Sequence, residues 1–209
     1  MLLVATVAVA TADWLVVSAG NRRLEYVAKP GTMVVLIALA LTVGGDGAEV
    51  DGALRAWFVI ALVCSLAGDV FLMLPSDWFV AGLASFLLGH LAYIAGLATV
   101  HESWPWSLVG LLLVGGALAL VAHRILGGVR RSEPAMSAPV IGYMAVISVM
   151  VVAAWGTVRW LAIAGATLFY ASDATLAWNR FVHEHRRGRL AVMVTYHLGQ
   201  IGLVLSLVQ

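Results

Sequence analysis

The segment AWFVIALVCSLAGDVFLML, residues 56–74, decides the fold class of this chain. It is long and apolar enough to cross a bilayer core as a helix, which takes about 20 residues, and its one charged residue is Asp69. A second apolar segment, residues 158–179, holds Asp173. An ionised Asp at mid-bilayer costs about 2.5–3.5 kcal/mol on insertion scales. We therefore expect both side chains to face a protein interior or a water-filled cavity and to form a site there.

The composition is that of an integral membrane protein. Of the 209 residues, 62% are hydrophobic and 11% are charged, whereas soluble domains carry about 25% charged residues. The mean hydropathy is +0.98. Membrane spans need nearly the whole chain, so residues 1–209 are predicted to form a single transmembrane helical domain. The one cysteine, Cys64, excludes an intramolecular disulfide.

Apolar runs between charged residues, prolines and glycines predict an all-α, polytopic membrane bundle of about eight transmembrane helices. The first run lacks the basic n-region of a signal peptide and is interpreted as a span. The predicted spans are residues 2–18, 31–45, 56–74, 78–98, 104–122, 137–154, 158–179 and 189–208.

The basic residues predict the orientation of these spans. Ten of the twelve lie in the loops after spans 1, 3, 5 and 7, and the other two are Arg55 and Arg159. Because Lys and Arg concentrate in cytoplasmic loops, both termini are expected outside. We expect a multi-pass protein of the bacterial inner (cytoplasmic) membrane.

Orientation then fixes the depth of the two aspartates. Spans 3 and 7 run inward, which places Asp69 about 7 Å and Asp173 about 10 Å from the cytoplasmic ends at the helical rise. Asp13, Lys29 and His197 fall in the same layer. This predicts a polar, water-accessible pocket that opens toward the cytoplasmic half of the membrane.

A short pattern recurs in the two halves of the chain. A small residue, Asp, two further residues and Leu occur at 68–72 and again at 172–176, and a histidine follows in the next span, His90 and then His197. Spans 1–4 and 5–8 would share one orientation, as in a parallel 4+4 repeat. The match covers few residues, so duplication and coincidence both stay open.

Several polar residues near the aspartates are candidates for substrate binding, and each has a structural alternative. Tyr170 and Arg180 share a helix face with Asp173 and could hold it in a defined protonation state or lock the bundle as a buried pair. Lys29 could bind a phosphate or extend to the interface. The remaining candidates, which could equally be satisfied core residues, are His90, Tyr93, Tyr196, His197 and Gln200. The six histidines form no compact zinc motif, so we expect no metal and no cofactor.

The combined motifs resemble the YhhN-like lysoplasmalogenase family. They are Lys29-Pro30, Gly68 to Leu72, the run from Phe86 through Gly89-His90 to Tyr93, and Phe169 to Ala177. One departure is Gly31, where a larger apolar residue is expected. The resemblance implies an eight-helix membrane hydrolase that cleaves the vinyl ether bond of lysoplasmalogen to a fatty aldehyde and a glycerophospho-alcohol.

Acid/base chemistry by Asp69 and Asp173 would suit that reaction. Protonation of the carbon distal to oxygen generates an oxocarbenium ion, which water captures. Two nearby carboxyl groups in a low-dielectric pocket cannot both ionise readily, so one keeps its proton while the other stabilises positive charge and orients water. The sequence does not assign which aspartate is the acid. Lys29 and Arg180 could hold the phosphate of a lysophospholipid.

A proton-coupled transporter of lipids or small molecules is the alternative, because intramembrane acids and parallel repeats also mark carriers. A cavity open to one leaflet favours the hydrolase, and a path between both faces favours transport. The expected partners are membrane lipids, with no nucleic acid. Headgroup preference and oligomeric state stay open.

Overall fold

The computed structural model describes residues 1–45 and 50–209, and these residues form eight α-helices with no strand among them. The all-α prediction is confirmed. The helices are α1 (Leu2–Ser18), α2 (Arg22–Thr42), α3 (Gly52–Met73), α4 (Phe79–Thr99), α5 (Trp104–Ser132), α6 (Ser137–Gly156), α7 (Trp160–Phe181) and α8 (Gly188–Leu205). Short 3₁₀ turns at Pro134–Met136 and Ser206–Val208 precede α6 and follow α8.

Six of these helices, α2 to α6 and α8, are long and apolar enough to cross a membrane. The chain is thus a multi-pass integral membrane protein. Helix α1 is apolar but shorter, with 17 residues, and α7 has 22 residues. The count of eight spans and the outer location of the termini stay predictions.

Helix α2 differs from its prediction, because it begins at Arg22 and not at residue 31. The side chain of Asn21 caps it by accepting a hydrogen bond of 3.3 Å from the backbone N–H of Leu24. Pro30 lies inside the helix, where its missing N–H leaves the carbonyl of Tyr26 without the usual partner. Lys29 is therefore a residue of the helix interior and not the residue before a span.

Helix α5 also exceeds its prediction, since it runs to Ser132 and not to residue 122. Arg124 was counted in the loop after span 5, but polar helical turns continue beyond the apolar stretch. Arg130 and Arg131 occupy the last turn, where positive charge interacts favourably with the helix dipole.

The helices pack in the order that a parallel repeat would give. Helix α3 packs along α4 as α7 packs along α8, and α1 packs on α2 as α5 packs on α6. The two halves then meet through α4 against α6 and through α8 against α2. These contacts exchange under a swap of halves, which supports the 4+4 repeat, whereas the packing of α1 on α8 and of α5 on α7 has no comparable counterpart in the described part of the other half.

Candidate active site

Asp69 and Asp173 line one cavity of about 480 Å³ between the two halves of the bundle. The sequence predicted a shared pocket, and the structure brings the two side chains to it. The cavity reaches the end of the molecule where α2 begins and α3 and α7 end, which we call the basic end. Its other polar lining residues are Arg22, Glu25, Tyr26, Lys29, Ser172, Asn179, Arg180, Glu184, Arg189 and Tyr196.

Asp69 is held by a cation and a phenol. The Nζ atom of Lys29 lies 2.9 Å from Oδ1 of Asp69, and both side chains are buried. The hydroxyl of Tyr196 donates a hydrogen bond of 2.7 Å to Oδ2. Lys29 therefore does not extend to the interface as the structural alternative proposed. Its charge compensates the buried carboxylate, which a lone charge in this setting requires.

Asp173 has neutral partners. The hydroxyl of Tyr143 in α6 donates a hydrogen bond to its Oδ2, and Nε2 of His90 lies 3.7 Å from the same oxygen, too far for a hydrogen bond. Tyr170, one turn earlier on α7, was expected to be the phenol partner, but this expectation is wrong. Tyr143 was missed because a partner on another helix leaves no spacing signal in the sequence.

Each aspartate has one partner on the helix that precedes its own helix. Lys29 of α2 contacts Asp69 of α3, and Tyr143 of α6 contacts Asp173 of α7. The two halves thus repeat the geometry with different chemistry, since an ammonium in one half is replaced by a phenol in the other.

Aromatic rings fill the space beside the two carboxyl groups. Phe86, Phe169 and Tyr196 pack edge to face, with ring centroids 5.2–6.3 Å apart. His90 packs on Phe169 and on Tyr143 in the same manner. This arrangement, favoured by the ring quadrupoles, surrounds the carboxyl groups with apolar surface on the side away from the basic end.

At the basic end, Arg180 does not pair with Asp173 as its position on the helix face suggested. Its Nη2 lies 2.9 Å from Oδ2 of Asp77 and 2.9 Å from Oε1 of Glu133, and its guanidinium lies 4.5 Å from the ring centre of Phe79. The hydrogen bond from Arg180 holds the pKa of the exposed Asp77 carboxyl below its usual range. Arg180 still lines the cavity mouth, where a bound anion would meet it.

A second ion pair flanks the mouth between α2 and α8. Nη2 of Arg189 contacts both carboxylate oxygens of Glu25, at 2.9 Å and 2.7 Å. Among residues 1–45 and 50–209, Arg22 has no acidic group within ion-pair distance. The mouth therefore carries three guanidinium groups on separate helices.

The other predicted binding residues form a deeper buried layer that does not line the cavity. The hydroxyl of Tyr93 donates a hydrogen bond to Oε1 of Gln200. Nε1 of Trp14 donates a hydrogen bond of 3.0 Å to Nδ1 of His197, which leaves the proton of a neutral imidazole on Nε2. Tyr93, His90, His197 and Gln200 therefore support the cavity wall from behind.

Asp13 of α1 is buried next to this layer, and neither carboxylate oxygen has a hydrogen-bond partner among the described residues. Other buried polar atoms share that condition, among them Oγ of Ser65 and Nε2 of Gln200. Buried polar groups are almost always hydrogen-bonded, so ordered water is expected here. No group of three metal-ligating side chains occurs within the ranges that the structure describes.

The fold and the site define a class: a polytopic membrane protein with one buried and one largely buried carboxyl group in one cavity, at the end that carries most of its arginines. Comparison with known proteins makes this more specific. The model of the YhhN family matches residues 24–207, and the chain belongs to the YhhN family. The resemblance indicated by its motifs is thereby confirmed.

Curated relatives are about a third identical to this chain over the residues that align. Human "Lysoplasmalogenase TMEM86B" is 34% identical over 149 residues, which is 70% of this chain and 61% of the human protein. The pig protein of the same name is 31% identical over 185 residues, 85% of this chain and 71% of the relative. A Mycobacterium bovis "Lysoplasmalogenase" is 32% identical over 182 residues, 81% and 65%. No solved structure matches the chain significantly.

Proposed function

We propose that this protein is a lysoplasmalogenase of the bacterial inner membrane, which hydrolyses the vinyl ether bond of a lysophospholipid. The relatives that carry this name support the reaction class. The observation that carries the proposal is the unlike pairing of two carboxyl groups in one cavity. The relatives' names indicate no transport, so the carrier alternative is not favoured.

The pairing assigns the roles of the aspartates. Asp69 faces an ammonium at 2.9 Å and is the anion. Asp173 has a phenol and, at 3.7 Å, the imidazole of His90, but no lysine or arginine within ion-pair distance among the described residues, and burial of an unpaired charge is costly. Asp173 is therefore the proton donor, and Oδ1, which Tyr143 does not contact, is the oxygen that carries the proton.

In the reaction, the acid proton of Asp173 is transferred to the carbon of the double bond distal to the ether oxygen. The adjacent carbon becomes an oxocarbenium carbon, and the resulting carboxylate of Asp173 stabilises its positive charge. Water adds to that carbon and passes a proton to a carboxylate, which gives a hemiacetal. The hemiacetal loses its hydroxyl proton, its bond to the glycerol oxygen breaks, and that oxygen takes a proton. One water is consumed, and the products are a fatty aldehyde and a glycerophospho-alcohol.

The three guanidinium groups at the mouth suit the phosphate of the substrate. A lysolipid places its phosphate at the membrane interface and its vinyl ether a few bonds deeper. Arg22, Arg180 and Arg189 lie at the cavity mouth, with the aspartates further in. Arg is well suited to planar, bidentate recognition of phosphate. Lys29 is buried against Asp69, whereas Arg22 is exposed, so Arg22 replaces Lys29 in our proposed phosphate contacts.

An isotope-labelling experiment tests the reaction, and a substitution tests the proton donor. Purified protein in mixed micelles is incubated in D₂O with a 1-alkenyl lysophosphoethanolamine and, separately, with its saturated 1-alkyl analogue. Aldehyde is trapped by reduction and analysed by mass spectrometry. We expect aldehyde from the vinyl ether alone, with one solvent deuterium at its second carbon, because that carbon receives the proton.

Asp173→Asn should lower kcat by about 10²–10⁴-fold, the usual contribution of general acid catalysis, with folding retained. Glu184→Gln, a carboxyl change at the exposed mouth, is the control and should retain most activity. Aldehyde formation from the saturated analogue, or activity above half of normal in Asp173→Asn, would contradict the mechanism.

A further inference from the structure

A second cavity, of about 340 Å³, adjoins the aspartate cavity. Side chains of α4, α5, α6 and α7, together with Leu72 of α3, surround it, and they are apolar apart from the hydroxyls of Tyr143 and Tyr170 and the carboxyl of Asp173. The residues that line both cavities are Leu72, Phe86, Asp173 and Leu176. The carboxyl of Asp173 therefore lies where a polar cavity meets an apolar one.

The apolar cavity runs from the basic end toward the middle of the membrane. On α5 it extends from Ile125 back to Ala117, which is about 12 Å at the helical rise. Near the basic end α5 lies directly against α7, because a Cβ at Gly128 would collide with the carbonyl oxygen of Phe181. Ala117 lies near the midpoint of α5. The cavity is thus narrowed at the basic end and extends toward mid-membrane.

We propose that this cavity is the subsite for the alkenyl chain of the substrate, with the first carbons at Asp173 and the chain end toward Ala117. The inference rests on the function proposed above. A lysolipid has one phosphate headgroup and one hydrocarbon chain. The polar cavity matches the headgroup, and the apolar cavity matches the chain. The double bond comprises the first two carbons of the chain, so a chain seated here presents it to the carboxyl at the junction.

Shape and not hydrophobicity would make this subsite selective. A chain that leaves the bilayer for the cavity exchanges one apolar surrounding for another, so little is gained from burial itself. A wall that blocks the deep end would instead exclude long chains sterically. Overpacking of a filled apolar site costs about fivefold to hundredfold in equilibrium.

Substitution of Ala117 by Phe tests the subsite. Half-buried Ala117 lines the deep end of the cavity, whereas Ala119, two residues later, is exposed on the outer face of α5. Hexadecenyl and octenyl lysophospholipids are supplied in competition in the same micelles. Ala117→Phe should lower the ratio of kcat/KM for the long chain over the short chain by about tenfold, and Ala119→Phe should leave it unchanged. Retained turnover of the short chain shows that the variant is folded.

An unchanged ratio in Ala117→Phe would overturn the subsite. A measurement without catalysis separates that result from a failure of the proposed function. The unsubstituted protein is photolabelled with a saturated ether lysolipid that carries a diazirine at its chain end. Cross-links to Ala117 or Ile147 support the subsite even if no aldehyde forms from any substrate, whereas cross-links confined to the lipid-facing Leu112 and Leu120 overturn it.

Discussion

At the scale of single residues, the two aspartates differ by what the neighbouring helix offers them. Lys29 and Tyr196 hold Asp69, and Tyr143 holds Asp173. Burial of a carboxyl group in a membrane costs free energy whether the group is protonated or ionised. The two sets of partners offset this cost in different ways. A salt bridge fixes one group as an anion. A phenol leaves the other free to carry and release a proton, which acid catalysis requires.

Removal of one hydroxyl tests this division. In Tyr143→Phe, Oδ2 of Asp173 loses its donor, and a hydrogen bond to an ionised group is worth about 1.5–3 kcal/mol. The carboxylate left after proton transfer is then less stable, so kcat should fall about 10- to 100-fold. Aldehyde release from the alkenyl lysolipid measures the change.

Tyr170→Phe is the matched control, because Tyr170 is one turn from Asp173 on the same helix and was the partner that the sequence suggested. It should retain most activity. A larger loss in Tyr170→Phe than in Tyr143→Phe would return the role to Tyr170. The thermal unfolding temperature of both variants should stay near that of the unsubstituted protein.

At the scale of helices, the sequence predicted the existence of helices better than their boundaries and partners. The apolar run at 56–74 contains most of α3, and the membrane depth of Asp69 and Asp173 stays a prediction from charge bias. Pro30 was interpreted as a boundary, but the cap at Asn21 lets α2 begin eight residues earlier, at Arg22. Helical periodicity gives the face of a residue along its own helix. It does not identify the facing helix, which is why Tyr143 could not be predicted.

A close helix contact joins α7 and α8, and it can be tested at Gly165. A Cβ there would stand 2.6 Å from the backbone N of Leu203 and 2.7 Å from the carbonyl oxygen of Gly199. Backbone atoms cannot give way without separating the helices, which small residues otherwise let approach closely. Gly165→Ala should therefore lower the unfolding temperature markedly and reduce activity, because α7 carries Asp173 and α8 carries Tyr196.

Gly115→Ala is the control, since nothing lies within 4 Å of its added Cβ and Ala favours a helix over Gly by about 0.5–1 kcal/mol. It should be neutral or slightly stabilising. Equal unfolding temperatures for the two variants in the same detergent would show that the contact of α7 with α8 is not tight.

At the scale of the whole molecule, the cavity lies between two halves that contribute unlike parts. The first half provides Asp69 with its cation, and the second provides Asp173 and most of the apolar cavity. A repeat would explain how one architecture places both aspartates in the cavity. Each half then needs only a carboxyl group on its third helix and a partner for that group on its second helix. Arg180 joins the halves at the basic end, since Asp77 precedes α4 and Glu133 follows α5.

The contribution of the Arg180 ion pairs to stability should decrease as the pH falls. The pKa of Asp77 is lowered from its ordinary value of 3.8 by the hydrogen bond from Arg180. A carboxyl whose pKa is depressed in the folded state contributes stability above its unfolded pKa and loses it as pH falls through the folded value. Arg180→Gln should therefore lower the unfolding temperature modestly at neutral pH, as expected for partly exposed ion pairs. The difference from the unsubstituted protein should shrink below about pH 4.

Arg186→Gln removes the same charge from the exposed loop after α7 and is the matched control, with no expected change in unfolding temperature at either pH. The two variants are compared in one detergent from about pH 7 to about pH 3, which brackets the carboxyl titration. The stacking of the guanidinium on Phe79 does not depend on pH. If Arg180→Gln lowers the unfolding temperature as much at about pH 3 as at about pH 7, Arg180 stabilises the protein through Phe79 and not through the carboxylates. A difference that disappears with the carboxyl charge would establish that an ion pair joins the two halves over the mouth of the cavity.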